Sequence, residues 1–449
     1  MIPPKPKAAP RGRGILRLAW AFRRDLLSAL PAHFYHARMA EFRSPLIHSF
    51  FCNDPALVRM ILSERPGDFP KSNRLREGLA PLLGRSVFVT NGPEWAFQRR
   101  IIDLAFAGGR LHEVFPAMRA AADAALARLH EGEQDIEAEC SHAAADIIFR
   151  TLFSLPIEHD IAAQVFHAFR AHQDAQPVVN AAAMIPWPRW LPRPHRRQTR
   201  RTAAEIRGLI DGLVAQRMAA IANGIAPDDL ATRIMTTPDP ETGRLFTSAE
   251  MTDQVAIFFL AGHETSAAAL AWSLWLLAAN PEWQSRVAAE AAAAGPLNRL
   301  SDLSSLQLTR NTFREAMRLY PPVPMMVREV TGPETLRGRP AKPGAQIVIS
   351  PWHLHRHDRI WHDADAFDPE RWNRPDNRQA ARAAYIPFSA GPRVCPGAGF
   401  AMAEGVLMLA LITRSFRLFP GSHPPVPIAR LTTRGKDGIL IRLERREPQ

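Results

Sequence analysis

The stretch FSAGPRVCPG, residues 388 to 397, decides how the chain is read. The 449 residues hold three cysteines, Cys52, Cys140 and Cys395, and one of them sits in this loop of Gly, Pro and Arg. A free cysteine is ordinarily a small buried hydrophobe. Here Pro396 follows, and Pro favours the first turn of a helix. The helix read over residues 396 to 413 would aim its unpaired N–H groups and positive end at the sulfur. Such a position favours thiolate over thiol. Gly391 and Gly397 let the backbone pass close to something flat and bulky. A thiolate held by amide donors suits an axial iron ligand. A cysteine nucleophile would need a histidine base that the sequence does not single out, so both roles stand open at this point.

The rest of the composition narrows the class. Three scattered cysteines make no disulfide framework, which points to a reducing compartment. A 46% apolar content is ample for a core. The formal charge of +12 speaks to partners and not to fold. With no zinc-finger spacing, heptads or basic run interleaved with aromatics, nucleic acid is not an expected partner.

Working outward, the N-terminal MIPPKPKAAPRGRG reads as a flexible Pro- and basic-rich lead over residues 1–14, without the apolar core of a secretory signal. ILRLAWAFRRDLLSAL reads as an amphipathic surface helix at most. The one strong spanning candidate, residues 255 to 280, carries His263 and Glu264 in its middle, where a carboxylate would cost several kcal/mol in lipid. It is read as a helix buried through a large domain, so no transmembrane anchor is expected. That helix opens at TSAE, residues 247 to 250, a capping-box pattern. Helical periodicity runs from about 93 to 225, broken by the Pro-rich IPWPRWLPRP at 185 to 194. Residues 45 to 71 read as short strands and a small helix (PLIHSFF, then DPALVRMILSE), with further short strands such as AQIVIS, 345 to 350, and a hairpin closing the chain. Residues 15–449 are expected to form one mainly α domain with a small β-rich subdomain.

FSAGPRVCPG resembles the haem-binding loop of the cytochrome P450 superfamily, Phe-x-x-Gly-x-Arg-x-Cys-x-Gly, with Phe388, Gly391, Arg393, Cys395 and Gly397 all in place. The resemblance implies that Cys395 is the proximal thiolate of haem b and that Arg393 binds a propionate. Three further stretches follow in family order. EAMR, Glu315 to Arg318, with FDPERW, residues 367 to 372, resembles the family's structural cluster, here Glu315, Arg318 and Arg371. AGHETS, residues 261 to 266, resembles the oxygen-activation motif. There Gly262 would leave room for a ligand beside Ala261, Thr265 could turn its hydroxyl back onto the Ala261 carbonyl, and Glu264 and Thr265 would form the acid–alcohol pair. His263 is read as packing. GPEWAFQRR places Trp95 and Arg99 on one helix face, where the resemblance implies propionate contacts, and Arg328 is a further propionate candidate. HLHR, residues 353 to 356, also fits the family and is assigned no metal.

The implied fold sets the haem between the long central helix and the cysteine-loop helix. The implied activity is monooxygenation: one oxygen atom of O2 enters an apolar small molecule by hydroxylation or epoxidation, while Glu264 and Thr265 deliver protons. No flavin or iron–sulfur module is appended, so electrons from NAD(P)H would arrive through a ferredoxin or flavodoxin with its reductase, docked on a basic surface that includes Arg393 and Arg100. A soluble, bacterial-type, cytoplasmic member is expected. The loop at 72 to 90 and the break at 185 to 194 would shape the pocket. The same cysteine loop would also serve a peroxide-driven peroxygenase, an isomerase or dehydratase, or a non-catalytic haem sensor.

Overall fold

A computed structural model describes residues 2–10, 25–44, 47–107, 109–175 and 197–447. Most of the amphipathic stretch after the lead and the Pro-rich break at 185 to 194 lie outside the described residues. The organising element is the central helix Ser248–Ala278. Its capping box forms as written: the Thr247 N–H donates to the Glu250 carboxylate at 2.9 Å, and the Glu250 N–H donates to Thr247 Oγ1 at 3.2 Å. Arg244 adds a two-pronged pair to Glu250 at 3.0 and 2.9 Å. Beyond this polar start the helix is apolar nearly all round, and 78% of its most apolar window is buried inside the protein. The helix Ala398–Ser415 is the other described helix of sufficient length and apolarity to cross a membrane, with 61% of its window buried.

The chain divides into two compact units, and the central helix passes from one to the other between Glu264 and Thr265. One unit comprises Lys71–Ala121 and Ala143–Glu264 and is helical. Phe259 of the central helix meets Phe149 at 4.3 Å and Phe169 at 6.0 Å between ring centres. Asp253 is its polar tie. It accepts the Arg85 N–H at 2.7 Å and Arg207 Nη1 at 2.7 Å. Gly84 makes this possible: at φ +48°, any Cβ there would lie 2.1 Å from the Asp253 carboxylate.

The other unit comprises Met1–Pro70, Ala122–His142 and Thr265–Gln449, and all the described strands fall in it. These are β1 (Met39–Arg43), β2 (His48–Cys52), β3 (Gly132–Asp135), β4 (Met326–Glu329), β5 (Glu334–Leu336), β6 (Arg339–Ala341), β7 (Gln346–Ile349), β8 (Phe416–Pro420), β9 (Pro427–Ala429), β10 (Thr433–Gly435) and β11 (Leu440–Arg445). The main sheet runs β1-β2-β7-β4, with β2 and β7 parallel and the other pairs antiparallel. Phe50, Ile347 and Ile349 of this sheet pack with Ile61, Leu62, Phe69 and Trp361. A second sheet sets β11 between β3 and β8, and two hairpins, β5–β6 and β9–β10, complete the set. In the helical part, Gln307–Leu319 approaches Ala398–Ser415 so closely that a Cβ on Gly405 would fall 2.1 Å from the Phe313 ring.

The N-terminal lead, expected to be flexible, makes specific contacts in this unit. Tyr320 Oη donates to the Pro4 carbonyl at 2.7 Å, and the Ala9 N–H donates to the Leu30 carbonyl at 3.0 Å. Lys5 pairs with Asp365 and lies over the Tyr35 ring at 5.1 Å. Proline supplies the reason, because a pre-fixed φ loses less entropy on ordering.

Candidate functional site

The cysteine loop is built by backbone. The Cys395 N–H donates to the Phe388 carbonyl at 2.9 Å, and a single turn, Gly391–Arg393, is closed by the Val394 N–H on the Gly391 carbonyl at 3.0 Å. Gly391 sits at φ +67°, pressed on the turn Met60–Glu64 so tightly that a Cβ would lie 1.9 Å from the Leu62 carbonyl oxygen. The helix Ala398–Ser415 starts directly behind, capped at Gly397, so its positive end lies beside the sulfur. A Cβ on Gly397 would stand 3.9 Å from Cys395 Sγ, an ordinary van der Waals contact, so this glycine lies directly beside the sulfur. Cys395 is exposed, whereas Cys52 and Cys140 are buried. Burial pushes the Cys52 thiol up to about 12, and burial together with neighbouring carboxylates pushes Cys140 well above its usual range. Of the three sulfurs, only that of Cys395 is presented as a donor.

Glu315, Arg318 and Arg371 come together as a fully buried cluster. Glu315 accepts Arg318 Nε and Nη2 at 2.9 and 2.8 Å, Arg371 Nε at 3.1 Å and the Asp368 N–H at 3.2 Å. Arg318 also donates to the carbonyls of His355, Ala364 and Ala366 at 2.6–2.9 Å. Arg371 reaches the carbonyls of His362 and Asp363. Burial works to raise the Glu315 carboxyl, but the two guanidiniums outweigh it and hold it below the usual range. The histidines of the adjoining HLHR segment have local work. Ser350 Oγ bonds His353 Nδ1 at 2.9 Å, and His355 Nε2 accepts the Ile386 N–H at 2.9 Å. Burial, with Arg356 and other cations adding to it, lowers both to about 3.

Arg328 on β4 is 5% exposed, and its one hydrogen bond among the described residues goes to the Val327 carbonyl at 3.1 Å. No carboxylate pairs with it among the described residues, and burial lowers it to about 10. A buried guanidinium without a counter-ion calls for an anionic group from outside the chain.

From residue 251 to 278 the central helix is buried except at Phe258, Ala261, Gly262, Glu264 and Thr265. Positions 258, 261, 262 and 265 share one face, so a single stripe is left uncovered and Glu264 flanks it. Gly262 does something other than expected. A Cβ there would lie 2.8 Å from Ile148, so its missing side chain admits the neighbouring helix Ile136–Phe153. His263 is 3% exposed and meets the Phe166 ring edge-on at 5.5 Å.

Trp95 and Arg99 share a face of the helix Gly92–Phe106, where Arg99 Nε also holds Asp103 at 2.7 and 2.8 Å. They belong, with Ala261, Gly262 and Glu264, to the helical unit. Cys395, Arg393, Phe388, Gly391, Gly397, Thr265, Arg328 and the Glu315 cluster belong to the other. Arg100 departs from its expected place on a docking surface. It makes a two-pronged pair with Asp239 at 2.6 and 3.0 Å and a third contact with Glu241 at 3.0 Å, so its charge is matched within the chain. A residue that the motifs did not point to is Glu404, buried in Ala398–Ser415 and 3.1 Å from Ser266 Oγ. The available signal was a lone carboxylate in a helix with no other acidic residue.

Within the unit that holds the strands, the cysteine donor, the glycines of its loop and the unmatched Arg328 suit an anionic, iron-bearing group. Residues 41–441 match the family model described as Cytochrome P450. The chain is 31% identical to the cyclooctat-9-en-7-ol 5-monooxygenase of Streptomyces melanosporofaciens over 89% of this chain and 86% of that protein. It is 29% identical to the pentalenene oxygenase of Streptomyces avermitilis over 98% and 97%. It is 28% identical to cytochrome P450 4X1 of Mus musculus over 88% and 82%.

Proposed function

Since the chain belongs to the cytochrome P450 family, a mainly α fold whose members are haem-thiolate oxidoreductases, we propose that the Cys395 thiolate would hold the haem iron and that Arg328, Arg393, Trp95 and Arg99 would hold the haem propionates. The enzyme is a monooxygenase acting on apolar small molecules. When bound, the haem would supply the binding and reductive activation of O2 and the insertion of one oxygen atom into substrate.

The chain's own residues divide the remaining work. The start of Ala398–Ser415 stabilises the Cys395 thiolate. Gly391 keeps the loop seated on the Leu62 turn. Phe388 supplies the carbonyl that fixes the Cys395 backbone. The Glu315–Arg318–Arg371 cluster clamps the 355–371 segment through its carbonyls. On the uncovered stripe, the small side chain of Ala261 leaves the helix surface low, Gly262 admits Ile148 beside it, and Thr265 and Glu264 hold and pass the protons that oxygen reduction consumes. The observation that carries this reading is the stripe itself: from residue 251 to 278 a buried apolar helix opens only at Phe258, Ala261, Gly262, Glu264 and Thr265.

Two relatives are named for a cyclic alkenol and for pentalenene. A cyclic, largely hydrocarbon alkene or alkenol is accordingly the proposed substrate class. Electrons are proposed to come from NAD(P)H through a ferredoxin or flavodoxin and its reductase, in the cytoplasm, and residues 15–449 are proposed to act as one catalytic domain. The test is Thr265→Ala with a surrogate ferredoxin system. Product per NADH should fall sharply and released peroxide should rise. Unchanged coupling would remove Thr265 from the proton path. Cyclic terpenes should shift the iron spin state where straight-chain fatty acids do not, and the reverse order would remove the substrate class.

A further inference from the structure

Glu404 is the single acidic residue of Ala398–Ser415, and it is 7% exposed. Its Oε2 lies 3.1 Å from the hydroxyl of Ser266, itself 9% exposed and the next residue after Thr265. No Lys, Arg or His pairs with Glu404 among the described residues. The titratable group facing it from the helix Ile136–Phe153 is Cys140, a thiol that burial and the carboxylates of Glu137, Glu139 and Asp135 keep protonated. From Gln307–Leu319 the neighbour is the Phe313 ring, packed against Gly405. A buried carboxyl with a neutral hydroxyl partner and no cation stays protonated. In agreement, burial pushes Glu404 up to about 8, with the Ser266 hydrogen bond a small opposing influence.

We propose that Glu404 is a proton-holding positioning residue for the oxygen chemistry, acting through Ser266 on the turn that carries Thr265. The neutral carboxyl donates its O–H to Ser266 Oγ. As that O–H bond breaks, the proton joins Ser266, and the proton Ser266 already held leaves toward the Thr265 side of the helix. The carboxylate left behind accepts the Ser266 O–H across the same 3.1 Å separation until a proton from water restores it. One proton moves from solvent to the site and no electrons move. The electrons and O2 are those of the monooxygenase reaction, so the inference rests on the reading of Thr265 given above.

A purely structural carboxyl would be replaced without consequence by Gln, which keeps its shape and can still bond Ser266. The experiment uses the haem-loaded full chain in two readouts. In the infrared, wild type should show a protonated-carboxyl band that titrates away with a midpoint near 8 and is missing in Glu404→Gln. In turnover with a surrogate ferredoxin, the protonated fraction falls roughly tenfold per pH unit above that midpoint, and the share of electrons lost as peroxide should climb along the same curve. Glu404→Gln and Ser266→Ala should show a severalfold higher, pH-independent peroxide share, with Glu404→Asp restoring the pH dependence. A wild type without the band, or a Glu404→Gln variant that matches wild type at every pH, overturns the proposal. If Thr265→Ala shows its expected uncoupling while Glu404→Gln is silent, only the role of Glu404 falls. If Thr265→Ala is also silent, the oxygen-site reading falls first and takes this inference with it.

Discussion

Glu315→Gln changes one atom in a side chain that is fully buried, and it should be among the most damaging substitutions in the chain. The amide keeps the volume and one acceptor oxygen, so the Asp368 N–H at 3.2 Å can still be satisfied. The other position, Oε2, becomes an N–H2 pointing at Arg318 Nε, a donor that the carboxylate now accepts at 2.9 Å, and the negative charge that Oε1 presents to Arg318 Nη2 at 2.8 Å and Arg371 Nε at 3.1 Å is lost. Two cations, 0% and 1% exposed, would then face each other without a counter-charge. Removing one partner from a buried ionic cluster costs ~3–5 kcal/mol, against a total domain stability of ~5–15 kcal/mol. The loss should appear as a lower denaturant midpoint for the haem-loaded protein, followed by Soret absorbance, and as a fall in haem content on expression. Adding Arg371→Met removes one stranded cation, so the double variant should be less damaged than the sum of the two single variants. A Glu315→Gln protein within about 0.5 kcal/mol of wild type would refute the reasoning, because that is the scale of an exposed pair.

Gly391→Ala should strip haem from the protein, since the added methyl meets the Leu62 carbonyl at 1.9 Å and φ is +67°; full haem content in that variant would contradict the seated loop. Stability should peak near pH 6.5 and fall from there toward pH 8. His353 and His355 have folded values near 3 against 6.5 unfolded, so the stability they contribute is present above 6.5 and lost as pH falls, with the lowered Glu315 adding to the acid loss. Glu404, raised from 4.5 to about 8, contributes stability below 4.5 that is lost as pH rises through 8, so Glu404→Gln should flatten the alkaline side of a midpoint-against-pH curve. Arg100→Ala should lower the denaturant midpoint by leaving Asp239 with its Thr242 hydroxyl donor at 2.6 Å in place of the guanidinium. It should leave the salt dependence of reduction by the partner unchanged; an altered salt slope would return Arg100 to the docking surface.

What the sequence showed and what it hid divide along the range of the interactions. The central helix was legible because its signals are local: an apolar run of helical length, and Thr247 and Glu250 three residues apart. The pairing of Glu315 with Arg318 was legible for the same reason, being one helix turn. The parallel pairing of β2 with β7 joins residues near 50 to residues near 348, and nothing in either short strand announces its partner. The division into two units, each assembled from separated pieces of chain, is likewise invisible to periodicity. Gly262 shows a motif residue whose local reason lay elsewhere: the glycine was visible, but the Ile148 side chain filling its space comes from another helix. Arg100 was misread because Asp239, 139 residues away, neutralises it. Glu404 was in plain view as the only carboxylate of its helix, yet its meaning depends on Ser266 being 3.1 Å away.

The most direct test is the absorption spectrum of the reduced, carbon-monoxide-bound protein, with Cys395→Ala beside it. Thiolate ligation predicts a strongly red-shifted Soret band in the native chain and its loss in the variant. An unshifted band in the native chain, or one spectrum shared by both proteins, would contradict the assignment of Cys395 to the iron.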